Sequence, residues 1–189
     1  MNLPPGWLGV GIGGQHTPAR SAMLDYFIMR HGPTDTAPAQ GAAMRRLTPS
    51  GHCLLAQLGA RLQAGGVSLA HILHSPLLRA QQSALALATT QPHAVVEAAA
   101  ALAPGGSLEA LFAALSARRG AVLTVGHLPD VCGQLAYFTG NEAHKSTFFE
   151  AASIASLQAP LWEPGVFTLR WHQTGEAFVA GQGGVQPLG

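Results

Sequence analysis

With 189 residues, 48% of them apolar and only 10% charged, the chain has the size of one globular domain that can bury a good core. A net charge of +1 excludes a whole-molecule field for nucleic acid or an anionic membrane surface, so any anion binding must be local. Two cysteines, Cys53 and Cys132, build no disulfide framework and suit a reducing, cytoplasmic setting. Neither is followed six residues later by arginine, which excludes a thiolate-based phosphatase loop.

The first 22 residues contain Gly9-Val10-Gly11-Ile12-Gly13-Gly14. No strand precedes this run and Pro4-Pro5 disfavours one, so it is not read as a dinucleotide loop. A cationic start and a continuous apolar stretch are both missing, which argues against a signal peptide. Residues 1–22 are therefore expected to be a disordered N-terminal extension, with Met23 as the expected natural start.

Leu24 to Met29 predicts a buried strand, and Pro33 to Arg46 a polar loop. Thr48-Pro49 supplies a helix cap and a proline at the first helical position. Leu54, Leu55, Leu58 and Leu62 then recur at helical spacing until Gly65-Gly66. Leu69 to Leu73 is the second predicted strand. Ser75-Pro76 is expected to cap the next helix, with Ala80, Ala84, Leu87 and Ala88 on one face and Gln91-Pro92 ending it. Val95-Val96 reads as a short edge strand. After the loop at Pro104-Gly105-Gly106, Leu108, Leu111, Phe112 and Leu115 mark a helix ended by Gly120.

Ala121 to Val125 is the clearest strand, followed by a helix from about Pro129 to Phe138. Ile154 to Leu157 and Val166 to Trp171 read as an antiparallel pair joined near Pro160 to Gly165, and residues 181–189 as a flexible tail. This alternation predicts an α/β layer fold with a parallel sheet, formed by one domain over residues 23–180. No stretch approaches the roughly 18 uninterrupted apolar residues of a membrane span. His71 and His74 are expected on opposite faces of their strand, and no CxxC or HExxH spacing occurs, so no metal site is expected.

In open parallel sheets, ligands bind outside the carboxyl ends of the strands. Arg30-His31-Gly32 leaves the first predicted strand, Arg79 lies just beyond the second, and His127 leaves the third. Arg79 falls in the first turn of its helix, where a cation is disfavoured by roughly 0.3–1 kcal/mol. A bound anion reverses that penalty by sharing the guanidinium and the exposed backbone N–H groups. A lone His31 could be an ordinary histidine hydrogen-bonded beneath a loop. Two histidines and two arginines together form a positive cluster with no structural return, and a dianionic phosphoryl group is its natural partner. A neutral imidazole can attack phosphorus directly and carry the group. With no carboxylate cluster for Mg²⁺ and no cofactor motif, metal-free phosphoryl transfer is the simplest expectation.

These residues resemble a known family. Phe27-Ile28-Met29-Arg30-His31-Gly32 resembles the RHG signature of the histidine phosphatase superfamily. Ser75-Pro76-Leu77-Leu78-Arg79-Ala80-Gln81-Gln82-Ser83 resembles its second motif, with Ser83 where threonine is more usual. Gly126-His127-Leu128-Pro129 resembles the late catalytic histidine motif, and Arg45-Arg46-Leu47-Thr48-Pro49-Ser50-Gly51 the helix-opening RxLTxxG segment. The short length and Ala152-Ser153-Ile154-Ala155-Ser156-Leu157 are most similar to the SixA-type phosphohistidine phosphatases. The resemblance runs from about Met23 to Phe178. It implies a three-layer α/β/α sandwich with a mostly parallel central sheet, like that of phosphoglycerate mutase. It also implies roles: His31 as nucleophile, with Arg30, Arg79 and His127 holding the phosphoryl oxygens, and Thr34 adding a hydroxyl.

Larger members of that family use a carboxylic acid to protonate the leaving oxygen, usually from the region between the second and late motifs. Here the stretch Ala98 to Gly106 contains no acid. A missing proton donor handicaps an alkoxide leaving group far more than an imidazole, whose reference pKa is about 6.5. The expected activity is therefore that of a phosphohistidine phosphatase acting on a signalling or phosphotransfer protein. The rival is a phosphatase for a small phosphate ester, with Asp35, Glu97 or Asp130 giving the proton. A third reading is a phosphate-binding module without catalysis.

Overall fold

In the computed structural model of the chain, residues 23–36, 39 and 41–182 are described. The expected N-terminal extension with its glycine run, and residues 183–189 of the expected tail, lie outside them. Gly181 and Gln182, the described start of that tail, are tied back by backbone hydrogen bonds to Phe178 and Ala177.

Six strands form one sheet in the order β3-β2-β4-β1-β5-β6: β1 is Leu24–Arg30, β2 Leu69–His74, β3 Val95–Ala98, β4 Ala121–Gly126, β5 Ile154–Ala159 and β6 Thr168–Gln173. The first four in that order pair in parallel, whereas β5 pairs antiparallel with both β1 and β6. Helices α1 (Pro49–Ala64), α2 (Leu78–Ala88), α3 (Leu108–Ser116), α4 (Asp130–Thr139) and α5 (Gly175–Val179) complete the chain, with short 3-10 turns at Ala42–Met44, Ala100–Leu102 and Glu142–Ser146.

The pleat of β1 explains the layers. Phe27 and Met29 enter a core with Leu55, Leu58, Ile72 and Leu87, which packs α1 and α2 on one face. Tyr26 and Ile28 point the other way, into a core with Leu111, Leu115, Leu135 and Phe138 from α3 and α4. Alternate side chains of a strand face opposite sides, so a run apolar at every position must be covered on both. The result is the three-layer α/β/α sandwich. A side chain such as Leu58, fully buried, contributes about 1.5–3 kcal/mol by leaving water. Among the described residues, no helix is long and apolar enough to cross a membrane.

Helix α1 begins as expected: the Thr48 hydroxyl accepts the Gly51 N–H at 2.9 Å, and Pro49 opens the first turn. Helix α2 does not begin at Ser75-Pro76. Its cap is Leu77, with no side-chain hydrogen bond, because Ser75 N still bonds Val125 O at 3.0 Å and extends the β2–β4 ladder. Helix α3 stops at Ser116, short of Gly120, which instead takes a positive φ of 79° in the turn into β4. Strand β6 starts at Thr168, two residues later than expected. Cys53 is exposed and Cys132 buried, and neither is bonded to another cysteine.

Candidate active site

Parallel pairing brings the ends of β1, β2 and β4 level: Arg30 lies opposite Gly126 and His74 opposite Val125. The next residues carry the chemistry. His31 N bonds Gly126 O at 3.0 Å, and Ser75 N bonds Val125 O at 3.0 Å, so the ladders run on into the site. The chain then turns at Gly32, where a Cβ would come within 2.8 Å of Leu55 Cδ1 and 3.3 Å of Leu47 Cδ2, so a side chain would have to push these leucine tips aside. Gly32 N donates to Ser83 Oγ at 3.0 Å, and that hydroxyl donates to Arg79 O at 2.7 Å, linking the first motif to the second through α2.

The rings of His31 and His127 lie 5.2 Å apart and are almost fully buried, with 7% and 2% exposure. His31 Nδ1 lies 2.8 Å from Gly32 O. A carbonyl can only accept, so Nδ1 carries the proton and Nε2 keeps its lone pair. His127 is held the other way, with Nε2 2.8 Å from Ser75 Oγ and Nδ1 buried with no partner among the described residues.

Three guanidiniums lie close enough to act on the His31 ring. Arg30 Nη1 donates to Phe149 O at 2.8 Å, and Arg79 Nη1 to Ala42 O at 3.0 Å, while the Nε of each is buried with no partner among the described residues. Arg45 is the third, and nothing in the linear pattern singled it out as a site residue. It reaches in from the loop before α1, with Nη2 donating to Thr34 Oγ1 at 2.6 Å and Nε to Asp35 O at 3.0 Å. Its signal was present but unspecific, since Arg45 opens the RxLTxxG segment. The isolated bridge between Thr34 and Leu47 is what folds that segment against the first motif. Thr34 is thus placed beside Arg45, which takes up its hydroxyl oxygen.

Among the described residues, none of these arginines has a carboxylate within ion-pair distance; the two ion pairs are Arg118–Glu97 and Lys145–Glu142. The electrostatics follow. Burial, reinforced by Arg79, Arg30 and Arg45 against the Gly32 hydrogen bond, pushes the His31 pKa down to about 4. Burial, with Arg79, His31 and Arg30, brings His127 to about 4 as well. Burial lowers both Arg30 and Arg79, with Arg45 the leading like charge in each case and Arg30 adding to it at Arg79. Both imidazoles are therefore neutral at pH 7 inside a strongly positive pocket.

Glu97 pairs with Arg118 at 2.6 Å, and Asp130 accepts the Gly105 N–H at 3.2 and 3.3 Å. Asp35 is exposed, with its backbone carbonyl taken by Arg45. His71 is partly buried and His74 buried, with His74 Nδ1 2.8 Å from Ser75 O. Among the described residues, no three of His, Cys, Asp and Glu are grouped as metal ligands would be.

Known proteins match this arrangement. The sequence model of the histidine phosphatase superfamily (branch 1) matches residues 26–105, which include Arg30, His31 and Arg79. An uncharacterised protein of Picosynechococcus sp. (strain ATCC 27264 / PCC 7002 / PR-6) is 38% identical over 115 residues, 57% of this chain and 68% of that one. The solved structure of the protein histidine phosphatase SixA complexed with tungstate is similar at a TM-score of 0.72 and 27% identity, covering 80% of this chain and 97% of that one. Phosphoglycerate mutase from Plasmodium falciparum shares the fold, with a TM-score of 0.60 at 16% identity over 79% of this chain and 89% of that one. Signature, sheet and structural likeness agree: the chain belongs to the histidine phosphatase superfamily, is SixA-like within it, and is a phosphatase.

Proposed function

We propose that the chain is a phosphohistidine phosphatase, removing phosphate from a histidine of a phosphotransfer or signalling protein through a covalent intermediate on His31. One observation carries the phosphoryl site. Three buried nitrogens with no partner among the described residues, Arg30 Nε, Arg79 Nε and His127 Nδ1, belong to the cluster around the His31 ring. Buried donors left unpaired cost about 1–3 kcal/mol each, and a phosphoryl group offers several acceptor oxygens with the opposite charge.

In the first step the His31 Nε2 lone pair forms a bond to phosphorus while the bond from phosphorus to the substrate nitrogen breaks. The electron pair leaves with the substrate imidazole, which departs neutral when its other nitrogen carries a proton. His31 keeps its Nδ1 proton on Gly32 O, so its ring becomes cationic and is a good leaving group. In the second step water attacks phosphorus, the bond to Nε2 breaks, and the pair returns to His31. The water protons leave with inorganic phosphate and exchange with solvent. Arg30, Arg79 and Arg45 balance the charge on the phosphoryl oxygens throughout, and His127 Nδ1 donates to one of them. Neither step needs a metal ion or a carboxylic acid, which agrees with Glu97 and Asp130 being engaged elsewhere. The SixA structure is named a protein histidine phosphatase, which supports the same substrate class.

A substrate panel tests this. A phosphohistidine protein should turn over faster than sugar phosphates or other alkyl phosphates, and His31→Ala should abolish both activities. Radiolabelled phosphate should be trapped on His31 after an alkaline quench. Faster turnover of a sugar phosphate would favour the small-ester reading, with Asp35 the carboxylate left unengaged by side-chain bonds. Activity retained by His31→Ala would overturn the mechanism.

A further inference from the structure

We propose that Ser75 is the positioning residue that selects the tautomer of His127, so that Nδ1 carries the proton and faces the phosphoryl site. The inference rests on the reading that His127 contacts the phosphoryl group. It gives Ser75, expected from its Ser-Pro context to be a helix cap, a different task.

The geometry is specific. Ser75 is fully buried, and its backbone is pinned by the Val125 carbonyl at 3.0 Å. Its hydroxyl oxygen receives the Leu77 N–H at 3.3 Å, which uses one of its acceptor positions. The remaining contact of that oxygen among the described residues is His127 Nε2 at 2.8 Å. A serine hydroxyl has one hydrogen to give, and a buried hydroxyl hydrogen left without an acceptor is penalised. The imidazole nitrogen is the acceptor within reach, so Ser75 donates and Nε2 must hold a lone pair. In a neutral ring the proton then sits on Nδ1, and burial with the surrounding cations keeps this ring neutral. Nδ1 is the buried ring nitrogen with no partner among the described residues.

The two facing rings therefore hold the same Nδ1–H tautomer through different partners, His31 by a backbone carbonyl on Nδ1 and His127 by a side-chain hydroxyl on Nε2. Gly32 O, a pure acceptor, forces the His31 proton onto Nδ1 and frees Nε2 as nucleophile. Ser75 Oγ, whose hydrogen has His127 Nε2 as its one acceptor among the described residues, directs the His127 proton onto Nδ1, the nitrogen that faces the site. Without Ser75, His127 is free to carry its proton on Nε2, turning a lone pair toward phosphoryl oxygens that need a donor. Placing Ser75 at the first position past β2, directly against the residue leaving β4, is what the parallel register achieves.

Nitrogen-15 NMR of the full-length protein, labelled at histidine and held at pH 7, reads the tautomer directly. Wild type should show His127 protonated at Nδ1 and unprotonated at Nε2. In Ser75→Ala the signals should move toward the Nε2–H form, and kcat should fall by about 10–100-fold with KM changed less than about threefold. The Ser75→Ala change made in a His127→Gln background should reduce kcat by less than about twofold, because Ser75 then has no ring to orient. Proton on Nε2 in wild type overturns the proposal whatever the variants do. An unchanged tautomer in folded Ser75→Ala, or an equal loss in both backgrounds, also overturns it. A correct tautomer in a protein with no activity on any phosphorylated substrate would count against the proposed function and leave the role of Ser75 standing.

Discussion

The charge state of His31 is decided within one side chain's reach. An exposed histidine is roughly nine-tenths protonated one unit below a pKa of about 6.5. His31, lowered to about 4, remains almost wholly neutral at that pH. Its lone pair is therefore available across the mildly acidic range, and an NMR titration should place the midpoints of His31 and His127 near 4, not near 6.5. Because burial is the largest cause and the arginines come after it, Arg79→Ala should raise the His31 midpoint without restoring 6.5. A midpoint of 6.5 in wild type would contradict the electrostatic account. Arg30, His31, Arg79 and His127 were legible in the chain because each lies at or just past the end of a predicted strand. Arg45 was not, because it enters from an irregular loop whose path depends on a single bridge between Thr34 and Leu47.

At the scale of elements, the site is held by how α1 and α2 seat against the loop that follows β1. Gly51, in the first turn of α1, lies under that loop: a Cβ there would come within 2.7 Å of Pro33 O, a backbone atom with little room to yield. The same carbonyl accepts the Thr48 N–H at 3.0 Å, so loop and helix cap share one joint. Gly51→Ala should therefore push the 31–34 loop away from α1 and shift Thr34 and Gly32 with it. The expected result is a loss of about 1–3 kcal/mol in stability and at least tenfold in kcat/KM, checked by urea unfolding and steady-state kinetics. Wild-type activity and stability in this variant would show that the joint does not position the site. Helix α1 could be read from its cap, its proline and its leucine spacing, all local signals. The start of α2 could not, because the hydroxyl of Ser75 is claimed by His127, 52 residues away. Five-residue α5 was also missed, being too short to establish a periodicity.

For the whole molecule, the three layers followed from strands apolar on both faces, but the strand order that gathers three separate motifs is a tertiary choice no local pattern dictates. That gathering creates a stability problem. The folded state concentrates three guanidiniums and two histidines, and it resists protonating the histidines, whose folded pKa values lie below those of the unfolded chain. Between about pH 6.5 and 4 the unfolded state binds more protons, so stability must fall as pH falls through that window. Bound phosphate opposes both effects by pairing with the cations. At 100 times its Kd it should add about 2.7 kcal/mol, which for a chain of this size corresponds to roughly 5–10 °C in Tm. Thermal unfolding at pH 7 with and without phosphate measures the increment, and Arg79→Ala should remove most of it. Between pH 6.5 and 5 without phosphate, Tm should decline, and more gently in His31→Ala, which has one fewer buried imidazole to charge. A pH-independent Tm over that range, or an equal phosphate increment in Arg79→Ala, would mean that the cluster is not the protein's anion site.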